Sequence, residues 1–225
     1  MPLDVASAEV VGVLRDVGRT GAYFEIRTEL GEGPWPPFGG DVERLRALTA
    51  DYAERLGTAE RRVAGSLVFQ GLAARLWSPV VAAAAAGVVP DLSGLRWRWA
   101  PGEPIVLAVA EPRGWRAEGA AEAASIAHAV VVDGHLRPLR EAMSEVVGLA
   151  AGLVWGNAAS ALAGSLNVGA PDPRRVALVR ELLGREPLAG TGSFGADGFV
   201  RKSCCLYYRA PGGGMCGDCG LLPGS

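Results

Sequence analysis

Residues 201–225 read RKSCCLYYRAPGGGMCGDCGLLPGS and hold all four cysteines of the chain, Cys204, Cys205, Cys216 and Cys219, in the spacing C-C-x10-C-x2-C. The preceding 200 residues contain none. Four thiols gathered in one short segment are most simply a ligand set for a single centre. Cys216-x-x-Cys219 has the form of a chelating half, because Gly217 and Asp218 permit a tight turn that points two sulfurs at one metal. The adjacent pair is unusual. Neighbouring side chains of an extended segment point to opposite sides, so Cys204 and Cys205 reach one centre only where the backbone turns sharply. Tetrahedral zinc favours ligands separated by about two to four residues. A cluster with two irons has a longer perimeter and tolerates unequal approach. The spacing therefore favours a two-iron, two-sulfide cluster, with structural zinc, or a vicinal disulfide beside a free dithiol, left open.

The flanking residues suit a redox centre. Four thiolates around two ferric ions and two sulfides leave net negative charge, which Arg201, Lys202 and Arg209 are placed to offset, although a solvated basic patch would look the same. Pro211 to Gly214 form a loop with almost no side chains, whose amides can reach cluster sulfurs. Tyr207 and Tyr208 offer one ring toward the centre and one toward solvent or substrate.

The rest of the chain sets the frame. With 225 residues, 49% of them hydrophobic, and a net charge of −2, it has material for one sizeable core. Such a balance gives no footprint for nucleic acid. Asp4 and Glu9 fall where a signal peptide would be apolar, so export is not expected. Cysteines in a reducing compartment then point to metal or redox chemistry. The apolar run 79–90 is shorter than the roughly 20 residues a membrane helix needs. Residues 143–162 include Glu145 and Asn157 among alanine and glycine, so no membrane span is expected.

Hydrophobic periodicity predicts amphipathic helices over 3–15 and 41–56, the second capped by Asp41, with a proline- and glycine-rich loop (31–40) between them. Thr58 is a candidate cap for a helix through Leu72 to Trp77, which Pro79 should kink or end. Arg96-Trp97-Arg98-Trp99 alternates as a strand, with both tryptophans on the core side, and pairs with Ile105–Ala110 across Pro101-Gly102. Residues 127–132 read as a third strand ending at Asp133-Gly134. One helix is expected over 139–166, with Ser144, Gly148, Gly152, Gly156, Ser160 and Gly164 as a stripe for close helix packing or, alternatively, for clearance around a bulky ligand. A proline-initiated helix covers 171–184, and 185–199 reads as irregular. The fold class is α+β, mostly helical with a small antiparallel sheet in the middle. A body over 1–200, its helical part about 1–90, carries a cluster-binding segment over 201–225.

Other motifs carry no function. Gly190-Thr191-Gly192-Ser193-Phe194-Gly195 matches a dinucleotide fingerprint, but Pro187 precedes it and Gly198 follows, so it lacks the strand-to-helix setting that fingerprint needs. His128 and His135 read as ordinary polar contacts, and no nucleophile motif supports hydrolysis.

The run RKSCCLYYRAPGGGMCGDCGLL resembles the C-terminal signature of the FhuF-type ferric-siderophore reductases, in cysteine spacing and in the Tyr-Tyr-Arg and glycine-rich segments. The resemblance implies a [2Fe–2S] cluster on Cys204, Cys205, Cys216 and Cys219, a cytoplasmic oxidoreductase working one electron at a time, and a fold distantly similar to part of the siderophore synthetases. The expected substrate is a ferric siderophore, the hydroxamate type favoured, with a ferredoxin or a separate reductase as electron donor. Arg96, Arg98, Tyr207, Tyr208 and Arg209 are candidate substrate contacts, while Trp97 and Trp99 belong to the core. The rival is a non-catalytic electron carrier or a zinc-stapled interaction module.

Overall fold

A computed structural model of the chain describes residues 3–195 and 198–221. Its axis is helix α3 (Arg61–Ala85), which follows β1 (Leu3–Asp4), α1 (Ser7–Gly18) and α2 (Val42–Arg55). Helix α1 buries Val10, Leu14 and Val17, one face at helical spacing, and α2 buries Leu45, Leu48 and Thr49. The Asp41 carboxylate accepts from the Arg44 amide at 3.0 Å, capping α2 as its sequence predicts. Both helices pack on α3.

Helix α3 differs from expectation in two ways. It starts at Arg61, and Thr58 accepts a hydrogen bond from the Glu60 amide without capping the helix. It also runs through Pro79 to Ala85. Proline removes one intrahelical bond, but Leu72, Leu76, Trp77, Val80 and Val81 are fully buried on both sides of it. That burial outweighs the local loss. By length and composition α3 could cross a membrane, yet 67% of its most apolar window is buried inside the protein, as a core helix requires.

Strands β2 (Val88–Pro90), β3 (Arg96–Arg98), β4 (Val106–Ala108) and β5 (Gly114–Arg116) follow. Strands β3 and β4 form the expected antiparallel hairpin, with Trp97 opposite Leu107 and buried, while β1, β5 and β2 form a separate three-stranded sheet.

The predicted strand at 127–132 is helical. Helix α4 (Gly119–Ala127) passes into a π-helical stretch (His128–Leu136) and then α5 (Arg137–Ser144). A short apolar run reads equally as strand or buried helix, and here Val131, Val132, Leu136 and Leu139 all enter the core from helical spacing. Asp133 makes no turn; its carboxylate holds Arg137 at 2.9 Å and lies 3.5 Å from His128. The single helix expected over 139–166 is instead α5, a break, and α6 (Ala151–Gly164). Helix α7 (Pro173–Leu183) starts as predicted, with Asp172 accepting from the Arg174 amide at 2.9 Å. The stretch expected to be irregular contains a hairpin, β6 (Gly192–Gly195) with β7 (Gly198–Arg201).

Candidate metal centre

Strand β7 delivers the chain into the cysteine segment, which lies on α3 and α6. Arg201 is the hinge of this arrangement. It is 1% exposed. Its guanidinium grips the Asp218 carboxylate with two hydrogen bonds, of 2.9 and 3.0 Å, donates to Asn157 Oδ1 at 2.7 Å, and donates to Ser160 Oγ. Asn157 donates onward to the Ser66 carbonyl at 3.0 Å and to Ser66 Oγ at 2.8 Å, and Ser66 Oγ donates to the Cys205 carbonyl at 2.7 Å. One buried chain of polar groups thus runs from Asp218, between the last two cysteines, through α6 and α3 to the adjacent pair. Each member is satisfied, as a buried network must be.

Close backbone approach completes the seat. A Cβ on Gly220 would overlap the Arg201 carbonyl, and one on Gly156 would overlap the Ser203 hydroxyl. At Gly220 the clash is with backbone and only glycine fits, whereas at Gly156 the Ser203 hydroxyl would have to turn away. Along the small-residue stripe of α6 only Ser160 meets another helix through a hydrogen bond, accepting from Gln70 of α3 at 3.1 Å. Gly152 and Gly164 face open space, Gly156 admits the cysteine segment, and Ser160 is tied to Arg201.

The chain turns sharply directly after the adjacent cysteines. Leu206 adopts a left-handed conformation, φ 68°, and its amide donates to Cys204 Sγ at 3.2 Å. Cys205 Sγ and Cys216 Sγ lie 3.7 Å apart. Two thiolates on one tetrahedral metal, with bonds of about 2.3 Å, stand roughly 3.8 Å apart. Cys219 Sγ lies 3.6 Å from Met215 Sδ. Among the described residues no three cysteine, histidine or acidic side chains converge on the point a single ion would fill. A set of four soft thiols is the donor chemistry of an iron–sulfur cluster. Burial pushes the Cys204 thiol up, opposed by the Leu206 amide, and pushes the Cys216 thiol up, opposed by Arg201. As free thiols both stay protonated, so metal loading releases protons.

Comparison with known families now decides the segment's identity. Residues 201–220 match the FhuF 2Fe-2S C-terminal domain. That stretch is similar to a FhuF-type [2Fe–2S] domain. The cofactor of this segment is accordingly a [2Fe–2S] cluster. No curated protein matches the chain.

Beside the FhuF-type segment lies a cavity of about 930 Å³. Cys205, Cys216 and Tyr207 form one wall; α3, α6, α7 and the β6–β7 hairpin form the others, through Gln70, Ser160, Arg180 and Phe199 among others. Ligand pockets span about 300–1,000 Å³ and combine an apolar lining with a few placed polar groups. This cavity has that character.

Of the candidate substrate contacts, Tyr207 borders the cavity, and Tyr208 is 47% exposed. Arg209 pairs with Glu60 at 2.9 Å. Arg96 and Arg98 lie elsewhere, on β3, donating to the Trp35 and Glu32 carbonyls at 3.1 and 2.9 Å. They tie the hairpin to the loop over 31–40 and are not among the cavity's lining residues. Of the three cations expected to offset cluster charge, Arg201 is paired with Asp218 yet still acts on the Cys204 and Cys216 thiols, and Arg209 is paired with Glu60. His128 and His135 make backbone contacts, to Glu186 O at 2.7 Å and Leu92 O at 2.9 Å. The Gly190–Gly195 run enters a hairpin strand and not a helix. Sequence reasoning missed Ser66, Gln70 and Arg180. A polar residue inside an apolar helix was the available signal for Ser66, as it was for Asn157.

Proposed function

We propose that the chain is a cytoplasmic ferric-siderophore reductase, with Cys204, Cys205, Cys216 and Cys219 as cluster ligands and the neighbouring cavity as the seat of the chelate. The observation that carries this reading is that two of the cysteines wall a cavity large enough for a whole chelate. When bound, the cluster supplies one electron at a time. The protein's own part is to hold the chelate against that wall. Tyr207 and Phe199 give apolar contact, while Gln70, Ser160 and Arg180 offer the polar groups. One electron converts Fe(III) to Fe(II). Hard anionic oxygen donors hold Fe(II) far more weakly, so iron leaves and the chelator remains intact.

The lining also bears on the substrate. Its formal charges are Arg180 and Asp218, and Asp218 is already paired with Arg201. Three hydroxamates on Fe(III) make a neutral complex, whereas three catecholates carry three negative charges. A weakly charged wall favours the former, because a trianion would lose solvation without gaining partners. The G-x-G-x-x-G run offers no nucleotide seat, so the reading takes its electrons from a separate protein such as a ferredoxin or a reductase.

The test is anaerobic mixing of dithionite-reduced protein with a ferric trihydroxamate and a ferrous-iron trap. The expected result is cluster reoxidation with one Fe(II) captured per electron delivered. Reoxidation without captured Fe(II), or no reoxidation, overturns the proposal.

A further inference from the structure

Resting on the [2Fe–2S] assignment, we infer that the four cysteines hold the cluster crosswise. Cys205 and Cys216 share the iron that borders the cavity, and Cys204 and Cys219 share the other. Spacing alone argues for the opposite, with Cys216-x-x-Cys219 chelating one iron and the adjacent pair the second.

The geometry favours the crossing on separate grounds. Cys205 Sγ and Cys216 Sγ, from different halves of the motif, already stand 3.7 Å apart. That is about the edge of a tetrahedron of thiolates around one metal. These same two cysteines line the cavity, and Cys204 and Cys219 do not. Cys219 Sγ is turned toward Met215 Sδ, 3.6 Å away.

Local structure explains how adjacent residues come to serve different irons. The Ser66 hydroxyl holds the Cys205 carbonyl, the left-handed turn at Leu206 reverses the chain directly afterwards, and the Leu206 amide holds Cys204 Sγ. The sulfur of Cys204 is thus held by the Leu206 amide while that of Cys205 stands beside Cys216. An iron held by Cys205 and Cys216 would be the one whose ligands line the cavity.

Single cysteine-to-serine variants, loaded with ⁵⁷Fe and without substrate, test the pairing. A reduced cluster has one ferrous and one ferric iron, distinguishable by Mössbauer spectroscopy. Serine, a harder donor, lowers the midpoint potential more when it replaces a thiolate on the iron that accepts the electron. C205S and C216S should shift the potential and the same Mössbauer doublet alike, and C204S and C219S should form the other group. Grouping of C204S with C205S, and of C216S with C219S, overturns the inference. Should the serine variants fail to load, paramagnetic ¹H NMR of wild-type protein labelled at cysteine decides. The β-protons of Cys205 and Cys216 should share one temperature dependence, and a shared dependence of Cys204 with Cys205 refutes it. Both readouts concern the cluster alone, so failure of siderophore reduction would leave them standing, whereas a colourless zinc-loaded protein would remove the underlying assignment.

Discussion

The helical body and the cysteine segment are held by different forces. Around α3 the body buries Leu72, Leu76, Trp77, Trp97 and Leu107 almost completely, and burial of apolar area is tolerant of detail. From Arg201 onward the chain buries only Arg201, Cys205, Ala210 and Cys219 among its described residues. It is kept in place by directed bonds from Arg201 and Ser66, and by close approach at Gly156 and Gly220. Such a segment depends on individual atoms, and a bound cluster becomes its main cross-link. Damage to the two regions should therefore separate cleanly.

The sharpest separation comes from Cys205→Ala. It should abolish visible absorption and bound iron while far-UV circular dichroism stays unchanged; a collapse of helicity would show that the cluster also holds the body. Leu72→Ala is the reverse. Truncating a fully buried leucine costs about 2–5 kcal/mol, so the melting temperature should fall while iron per folded molecule holds constant. Arg201→Met removes charged hydrogen bonds worth about 1.5–3 kcal/mol each, partly offset by solvent access to Asp218. It should speed chelator-driven bleaching several-fold, with Arg201→Lys intermediate. Equal bleaching rates would mean the polar chain does not hold the cysteines.

The smallest effect lies in the body. Burial keeps the His135 imidazole below its ordinary range, against the pull of the Leu92 carbonyl and Asp91. The unfolded chain takes up this proton near pH 6.5 while the folded one does not. Stability from this site is complete above that value and declines as pH falls toward the folded-state value. Urea midpoints between pH 7 and 5 should show a shallow slope that His135→Gln flattens.

How much of this was readable from sequence follows the same division. Helices α1, α2 and α7, the caps at Asp41 and Asp172, and the Trp97 hairpin were readable because each rests on local periodicity or a local hydrogen bond. The helical reading of 127–132 was not, since a six-residue apolar run has no period long enough to separate strand from buried helix. Pro79 misled for a similar reason: its local cost is visible in sequence and the burial that offsets it is not. At the candidate metal centre the spacing singles out the four cysteines as the proposed ligands. The Asp218–Arg201–Asn157–Ser66 chain was hidden, because its members are 91 and 44 residues apart across its longest links. The cavity likewise exists only once α3, α6, α7 and the β6–β7 hairpin are assembled.

The claim that matters most is that the chelate is reduced while seated in the cavity against Cys205 and Cys216. Gly164 borders that cavity, and a side chain there would meet open space, so Gly164→Trp should fill it without disturbing the helix. The decisive measurement is the rate of cluster reoxidation as ferric trihydroxamate concentration rises. Wild-type protein should saturate, as a bound complex demands, and Gly164→Trp should need far higher concentrations while keeping the same visible spectrum. A rate that rises linearly without limit and is identical in the two proteins would contradict the account.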